Sequence, residues 1–89
     1  DLSPAGHQPM SMNNNWIVFN GEIYNFIELA KENNIDLKDN HSDTYVLLNL
    51  LNKYGSDILN KLNGMWGFAY YDNKKEELLI SRDRFGKKP

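Results

Sequence analysis

The stretch 65–80, MWGFAYYDNKKEELLI, is where the fold is decided. Met65–Tyr71 sets Met65, Gly67, Ala69 and Tyr71 against Trp66, Phe68 and Tyr70, so a strand here is apolar or small on both faces. Asp72–Glu76 is a polar hairpin loop and Leu78-Leu79-Ile80 the returning strand, which Arg82-Asp83-Arg84-Phe85-Gly86 ends. A strand that is apolar on both sides must be covered on both sides. One small domain can supply one such cover, not two.

Upstream of the hairpin the pattern turns helical. Ser42 is a good N-cap, and Asp43 stands in the first turn, where the helix dipole favours a carboxylate. Leu47, Leu50, Leu51 and Tyr54 form the expected buried stripe, and Gly55 stops the helix. A shorter helix follows Ser56-Asp57 through Ile58, Leu59 and Leu62 to Asn63-Gly64. Further back, Ile23, Phe26, Ile27 and Ala30 fit the i, i+3, i+4, i+7 template of an earlier helix, ended by Asn33-Asn34. Before it, Trp16-Ile17-Val18-Phe19 is a short β-prone run closed by Asn20-Gly21. Residues 1–15, with Pro4, Gly6, Pro9 and Asn13-Asn14-Asn15, carry turn signals rather than periodic structure. The order strand, helix, helix, hairpin predicts an α+β fold with an antiparallel sheet.

Composition narrows the function. The chain has 89 residues, 10 Lys+Arg against 12 Asp+Glu and a formal charge of −2. With 40 % hydrophobic and 25 % charged residues it is an ordinary globular sequence of one domain. Its balance gives no electrostatic footprint for nucleic acid and no polybasic cluster for a membrane surface. No apolar run approaches a bilayer span and no signal-peptide pattern opens the chain, so the expected compartment is cytoplasmic. The absence of cysteine removes disulfides, thiolate metal ligands and a thiol nucleophile from these residues. Asp1 is not an initiator methionine and Lys88-Pro89 directly follows a turn-like Gly86, which suggests a piece of a longer protein.

Asn20-Gly21-Glu22 is the most suggestive cluster for chemistry. An amide side chain and a glycine N–H where a strand meets a helix can aim at one oxygen, as an oxyanion hole requires. The plain alternative is a turn dipeptide followed by a first-turn carboxylate. Asp43 could accept from a ligand ammonium, or could only serve the helix dipole. His7 and His41 have no partners at metal spacing, so neither is expected to be a ligand. Asn40-His41-Ser42 matches a glycosylation sequon without a secretory context. Arg82, Asp83 and Arg84 could bind an anion or form an ion-paired strand end. The aromatics of the 65–71 strand read as core rather than as a stacking platform.

In order along the chain stand Asp1-Leu2-Ser3, Gly6-His7-Gln8-Pro9-Met10, Phe19-Asn20-Gly21-Glu22-Ile23-Tyr24-Asn25, Ser42-Asp43-Thr44, Gly64-Met65-Trp66-Gly67-Phe68-Ala69 with Asp72, and Arg82-Asp83-Arg84-Phe85-Gly86-Lys87-Lys88-Pro89. Together they resemble the N-terminal class II glutamine amidotransferase domain of glutamine-hydrolysing asparagine synthases. The resemblance covers essentially the whole chain. It implies part of an N-terminal nucleophile hydrolase fold, an α/β/β/α sandwich with two antiparallel sheets. It also implies a cysteine thiolate that attacks the amide of glutamine, a glutamyl thioester, and ammonia passed to an ATP- and Mg-dependent synthetase domain of the same parent chain. There ammonia attacks an aspartyl-adenylate. Asn20 and Gly21 correspond to the oxyanion hole, and Glu22 and Asp43 to the groups that hold the α-amino end of glutamine. No cofactor is implied for this domain itself; a homodimer is compatible with the resemblance.

Two departures accompany it. The family's nucleophile is the first residue of the mature protein, whereas Asp1 stands first here and has no thiol or hydroxyl to offer. The nucleophile strand and the arginine that takes the substrate carboxylate belong upstream of these residues in the family pattern, so the 89-residue fragment is expected to be inactive. Tyr45 replaces the glutamate that would complete a capping box with Ser42, at an expected cost of about 0.5–1 kcal/mol in local helix stability. The rival reading is a degenerate, non-catalytic module that keeps the scaffold for binding.

Overall fold

The computed structural model describes residues 8–38 and 40–83. The elements are β1 (Met10–Met12), β2 (Asn15–Ile23), α1 (Phe26–Glu32), α2 (Asp43–Tyr54), a 3-10 helix (Gly55–Lys61), β3 (Gly64–Asp72) and β4 (Glu77–Arg82). Four antiparallel strands form one sheet in the order β1-β2-β3-β4. The fold is α+β, with the helices on one face of that sheet. Parts of two motifs, Asp1-Leu2-Ser3 with Gly6-His7 and the Arg84-Phe85-Gly86-Lys87-Lys88-Pro89 end, lie outside the described residues.

The β1–β2 hairpin was not anticipated as a strand pair, although its turn was. Asn13 and Asn14 both adopt positive φ, 55° and 67°. Two such residues make the tight turn whose twist matches the flanking strands, and asparagine tolerates that conformation. Asn15, taken for part of the turn, is instead the first residue of β2, paired with Met12.

The second correction concerns Asn20-Gly21. The strand does not end there. It runs on to Ile23, with Asn20 opposite Gly67, Gly21 opposite Trp66, Glu22 opposite Met65 and Ile23 opposite Gly64. Local turn preference loses to eight residues of continuous pairing with β3. Ile23 is therefore a strand-end core residue, and α1 starts at Phe26. Of the expected stripe, Ala30 is buried and Phe26 packs against the core, but Leu29 is buried in place of Ile27, which is exposed. Asn33-Asn34 ends α1 as expected. The Ile35 N–H donates to Ala30 O (2.9 Å) and the Asn34 N–H to Lys31 O (3.3 Å), with Asn34 at φ 57°. This is a Schellman closure with asparagine in the left-handed position.

α2 begins and ends where expected, between Ser42 and Gly55. The Ser42 hydroxyl accepts from the Tyr45 N–H at 3.2 Å, so half of the capping box survives the tyrosine. Val46, Leu47, Leu48, Leu50 and Leu51 are all buried, a wider face than the expected stripe. α2 meets the sheet, α1 and the 3-10 helix at once. Tyr54 leaves that face: it is exposed, and its hydroxyl donates to Asn33 Oδ1.

The core unites these helix residues with Ile17, Phe19, Ile23, Phe68 and Tyr70 from the sheet. The opposite face carries Trp16, Val18, Met65, Leu78 and Ile80, all exposed, Ile80 at 72 %. Hence β3 is apolar on both faces as the sequence reads, and the described residues cover one of them. This is one sheet and one helix layer, in agreement with half of an α/β/β/α sandwich.

Candidate functional site

Strand alternation sets the site. Ile17, Phe19 and Ile23 turn towards the helices, so Asn20 and Glu22 fall on the open face, continuing the row of Trp16 and Val18. Asn20 lies opposite Gly67, which in turn lies opposite Arg82. A side chain at Gly67 would meet nothing within 4 Å. The row Asn20–Gly67–Arg82 thus has a gap in its middle. An open depression of about 530 Å³ lies there, lined by Asn20, Gly21, Met65, Gly67, Arg82 and Asp83 among others.

Gly21 is held by its contacts. Its φ is +131°, and a Cβ on it would sit 2.1 Å from Met65 O and 2.7 Å from the Trp66 Cα. Only glycine lets β2 lie against the β3 backbone in that conformation. Gly64 is the reciprocal case, since a Cβ there would sit 2.1 Å from Glu22 O.

The edge of β2 beyond β1 is satisfied by side chains. The Phe19 N–H donates to Gln8 Oε1. The Ile23 N–H donates to Asp43 Oδ2 at 2.8 Å. Asp43 is thereby fixed at the end of the strand that carries Glu22, although it is twenty residues away in sequence. So the structure brings Asn20, Gly21 and Glu22 together on consecutive strand positions and ties Asp43 to the next one.

Two residues whose hydrogen bonds the sequence did not predict complete the frame. Asn25 acts as a clamp: its Oδ1 accepts from the Asn63 N–H and its Nδ2 donates to Lys61 O, both at 2.9 Å. The Tyr24 N–H also donates to Asn63 O. Together they fix the segment that enters β3 at Gly64, against Glu22. Asp83, read with Arg82 and Arg84 as an anion site or an ion-paired strand end, is 4 % exposed. Its carboxylate accepts from the Trp66 N–H at 2.8 Å while its own N–H donates to Trp66 O at 3.1 Å. The one available signal was its place directly after a strand, where an aspartate can cap a ladder. Arg84 lies outside the described residues.

A separate groove of about 450 Å³ runs between the β1–β2 turn and α2, lined by Asn13, Asn33, Asn34, Asn49 and Asn52 with Tyr45 and Lys53. Three of its five amides are turned to the backbone: Asn33 Nδ2 donates to Leu29 O, Asn49 Nδ2 to Tyr45 O and Asn52 Nδ2 to Met12 O. These three hold the fold. His41 packs edge-on against Phe26 with ring centroids 5.4 Å apart. Among the described residues there is no cluster of three or more His, Cys, Asp or Glu that could hold a metal, and no helix long and apolar enough to cross a membrane.

A family model described as a glutamine amidotransferase domain matches residues 1–89. The chain belongs to the glutamine amidotransferase domain family. Asparagine synthetase (glutamine-hydrolysing) 1 of Bacillus subtilis is 41 % identical over 90 residues, covering 94 % of this chain. Asparagine synthetase (glutamine-hydrolysing) 3 of the same organism is 38 % identical over 91 residues, covering 96 %. A Methanocaldococcus jannaschii protein, provisionally named a glutamine-hydrolysing asparagine synthetase, is 42 % identical across 100 % of the chain. The chain spans 14 %, 15 % and 20 % of the lengths of these three relatives. What they share with this amidotransferase domain is therefore a small part of each.

Proposed function

We propose that this chain is the substrate-amide part of a glutaminase site in a longer glutamine-hydrolysing asparagine synthetase. Asn20, through its side-chain amide, and Gly21, through its backbone N–H, receive the oxyanion of the tetrahedral intermediate. Glu22 and Asp43 hold the α-ammonium of glutamine. A cysteine outside these residues attacks the side-chain carbonyl; the C–N bond breaks, ammonia leaves with the proton it takes up, and a glutamyl thioester remains. Water then cleaves the C–S bond to release glutamate and restore the thiol. The ammonia goes to a synthetase domain that uses ATP and Mg to activate aspartate as its adenylate. The 89 residues alone turn over no glutamine, because they contain no cysteine. The parent works in the cytoplasm, and a homodimer is compatible with this reading.

The observation that carries the proposal is the tether of Asp43 to Ile23, which puts a second carboxylate at the end of the Asn20-Gly21-Glu22 strand. Two anions beside one ammonium distinguish glutamine from an uncharged amide. A non-catalytic module has no physical need for this combination, and the relatives' names favour hydrolysis.

The test is glutamate release from glutamine by the intact protein. Asn20→Ala should lower kcat by about 10²–10³, since one oxyanion donor is lost. Glu22→Gln and Asp43→Asn should mainly raise KM for glutamine. Saturable glutamine binding with no turnover by the unmutated protein would sink the glutaminase reading.

A further inference from the structure

Asp83 holds both backbone groups of Trp66. The carboxylate takes the N–H and the Asp83 N–H takes the carbonyl. β4 proper ends at Arg82, so the Asp83 side chain supplies the acceptor that another strand residue would have offered. Trp66 is the register partner of Gly21, and the Gly21 backbone lies directly on Met65 O and the Trp66 Cα with no side chain between. Asn20, Gly21, Trp66 and Asp83 line one depression.

We infer that Asp83 is a positioning residue for the oxyanion hole, acting through the Trp66 backbone on Gly21. This rests on the reading of Asn20 and Gly21 as oxyanion donors. Donors to a developing charge must be fixed before the charge appears, because a donor that moves up during the reaction loses much of its advantage. Gly21 has no side chain to anchor it, so its backbone is held by close packing on the strand beside it. Buried Asp83 immobilises that strand at the residue opposite. Substrate binding does not require this rigidity, since the oxyanion is absent from bound glutamine. The consequence should therefore appear in the transition state alone.

The experiment uses the intact protein that contains this chain. It measures kcat and KM for glutamine, the affinity of the glutamine aldehyde analogue, whose thiohemiacetal carries the oxyanion, and the affinity of glutamate. Covalent titration with an electrophilic glutamine analogue counts competent sites, so kcat is expressed per working site. Asp83→Ala should lower kcat about tenfold and weaken the aldehyde by a similar factor, with glutamate affinity and KM changed less than about twofold. Asp83→Asn, whose Oδ1 can still accept from the Trp66 N–H, should recover most of both losses. Asp83→Glu serves if the alanine variant does not fold; its acceptor is displaced by one methylene, and kcat and aldehyde affinity should fall together. Unchanged values per competent site would overturn the role of Asp83, as would equal losses in aldehyde and glutamate affinity. Asn20→Ala separates the two readings. If it alters kcat and aldehyde affinity while the Asp83 variants do not, only the positioning role fails. If it alters neither, the oxyanion assignment itself is wrong.

Discussion

Gly21 shows how little room a single residue has here. Placing a methyl at Gly21 means 2.1 Å to Met65 O at a φ of +131°, and both problems sit on backbone that cannot rotate away. Gly21→Ala should cost about 3 kcal/mol or more and lower the denaturant midpoint accordingly. A variant of unchanged midpoint would mean that the two strands separate more easily than the pairing indicates. Tyr70 offers a second test. Its hydroxyl donates to Asn52 Oδ1 (2.7 Å) and accepts from Asn15 Nδ2 (3.0 Å), and Asn15 Oδ1 receives the Asn73 N–H (2.9 Å). Burial raises the Tyr70 pKa above its ordinary 10.0; the Asp72 charge adds to this and the bond with Asn15 opposes it. The phenol is thus harder to ionise when folded. Its contribution is intact below pH 10.0 and is lost as the pH rises from there through the raised folded value, because the unfolded chain ionises first. Unfolding midpoints taken from about pH 9 to about pH 11 should fall, and fall less in Tyr70→Phe. At neutral pH that variant should be less stable by about 1–2 kcal/mol, since it removes one partner each from buried Asn15 and half-buried Asn52.

At the scale of elements, α2 carries the fold and the tether of the site together. Its N-terminal end places Asp43 at the end of β2, and its apolar face fills the core. Leu48 is fully buried, so Leu48→Ala should cost about 2–5 kcal/mol in denaturant unfolding. Ser42→Ala removes the acceptor for the Tyr45 N–H and should cost about 1 kcal/mol. Restoring glutamate at Tyr45 should return roughly 0.5–1 kcal/mol, if the new carboxylate reaches back to Ser42. A null result there would show that half a capping box already secures this helix start. The same element explains a misreading. Tyr54 fits the helical stripe by spacing, but it is the last residue of α2, is exposed, and its hydroxyl donates to Asn33 instead.

At the scale of the whole molecule, the described residues form one helix layer and one sheet, and leave one apolar sheet face uncovered. Leu78 and Ile80 are 60 % and 72 % exposed on that face, across β3 from Trp16 and Val18. The isolated chain should therefore self-associate. Sedimentation of the chain should give a mass above the monomer, and Val18→Lys with Ile80→Lys should shift it towards the monomer. A unit that sediments as a monomer before substitution would mean that this face tolerates water. The edge of β2 is a lesser hazard, because Gln8 and Asp43 already occupy the Phe19 and Ile23 N–H groups.

By itself the sequence determined what depends on short-range chemistry. The alternation in 65–71 required a strand apolar on both faces, Ser42 and Gly55 bounded α2, Asn33-Asn34 closed α1, and the ordered motifs named the family that the domain match then supplied. Only the tertiary structure decided where Asn20-Gly21 lies. Eight cross-strand partners from β3 outweigh the turn preference of two residues, and this long-range pairing is invisible in a local window. For the same reason it alone decided that Asp43 meets Ile23 and that Asp83 meets Trp66. Each bond joins backbone to a carboxylate 20 or 17 positions away, a separation at which neither periodicity nor capping rules carry information.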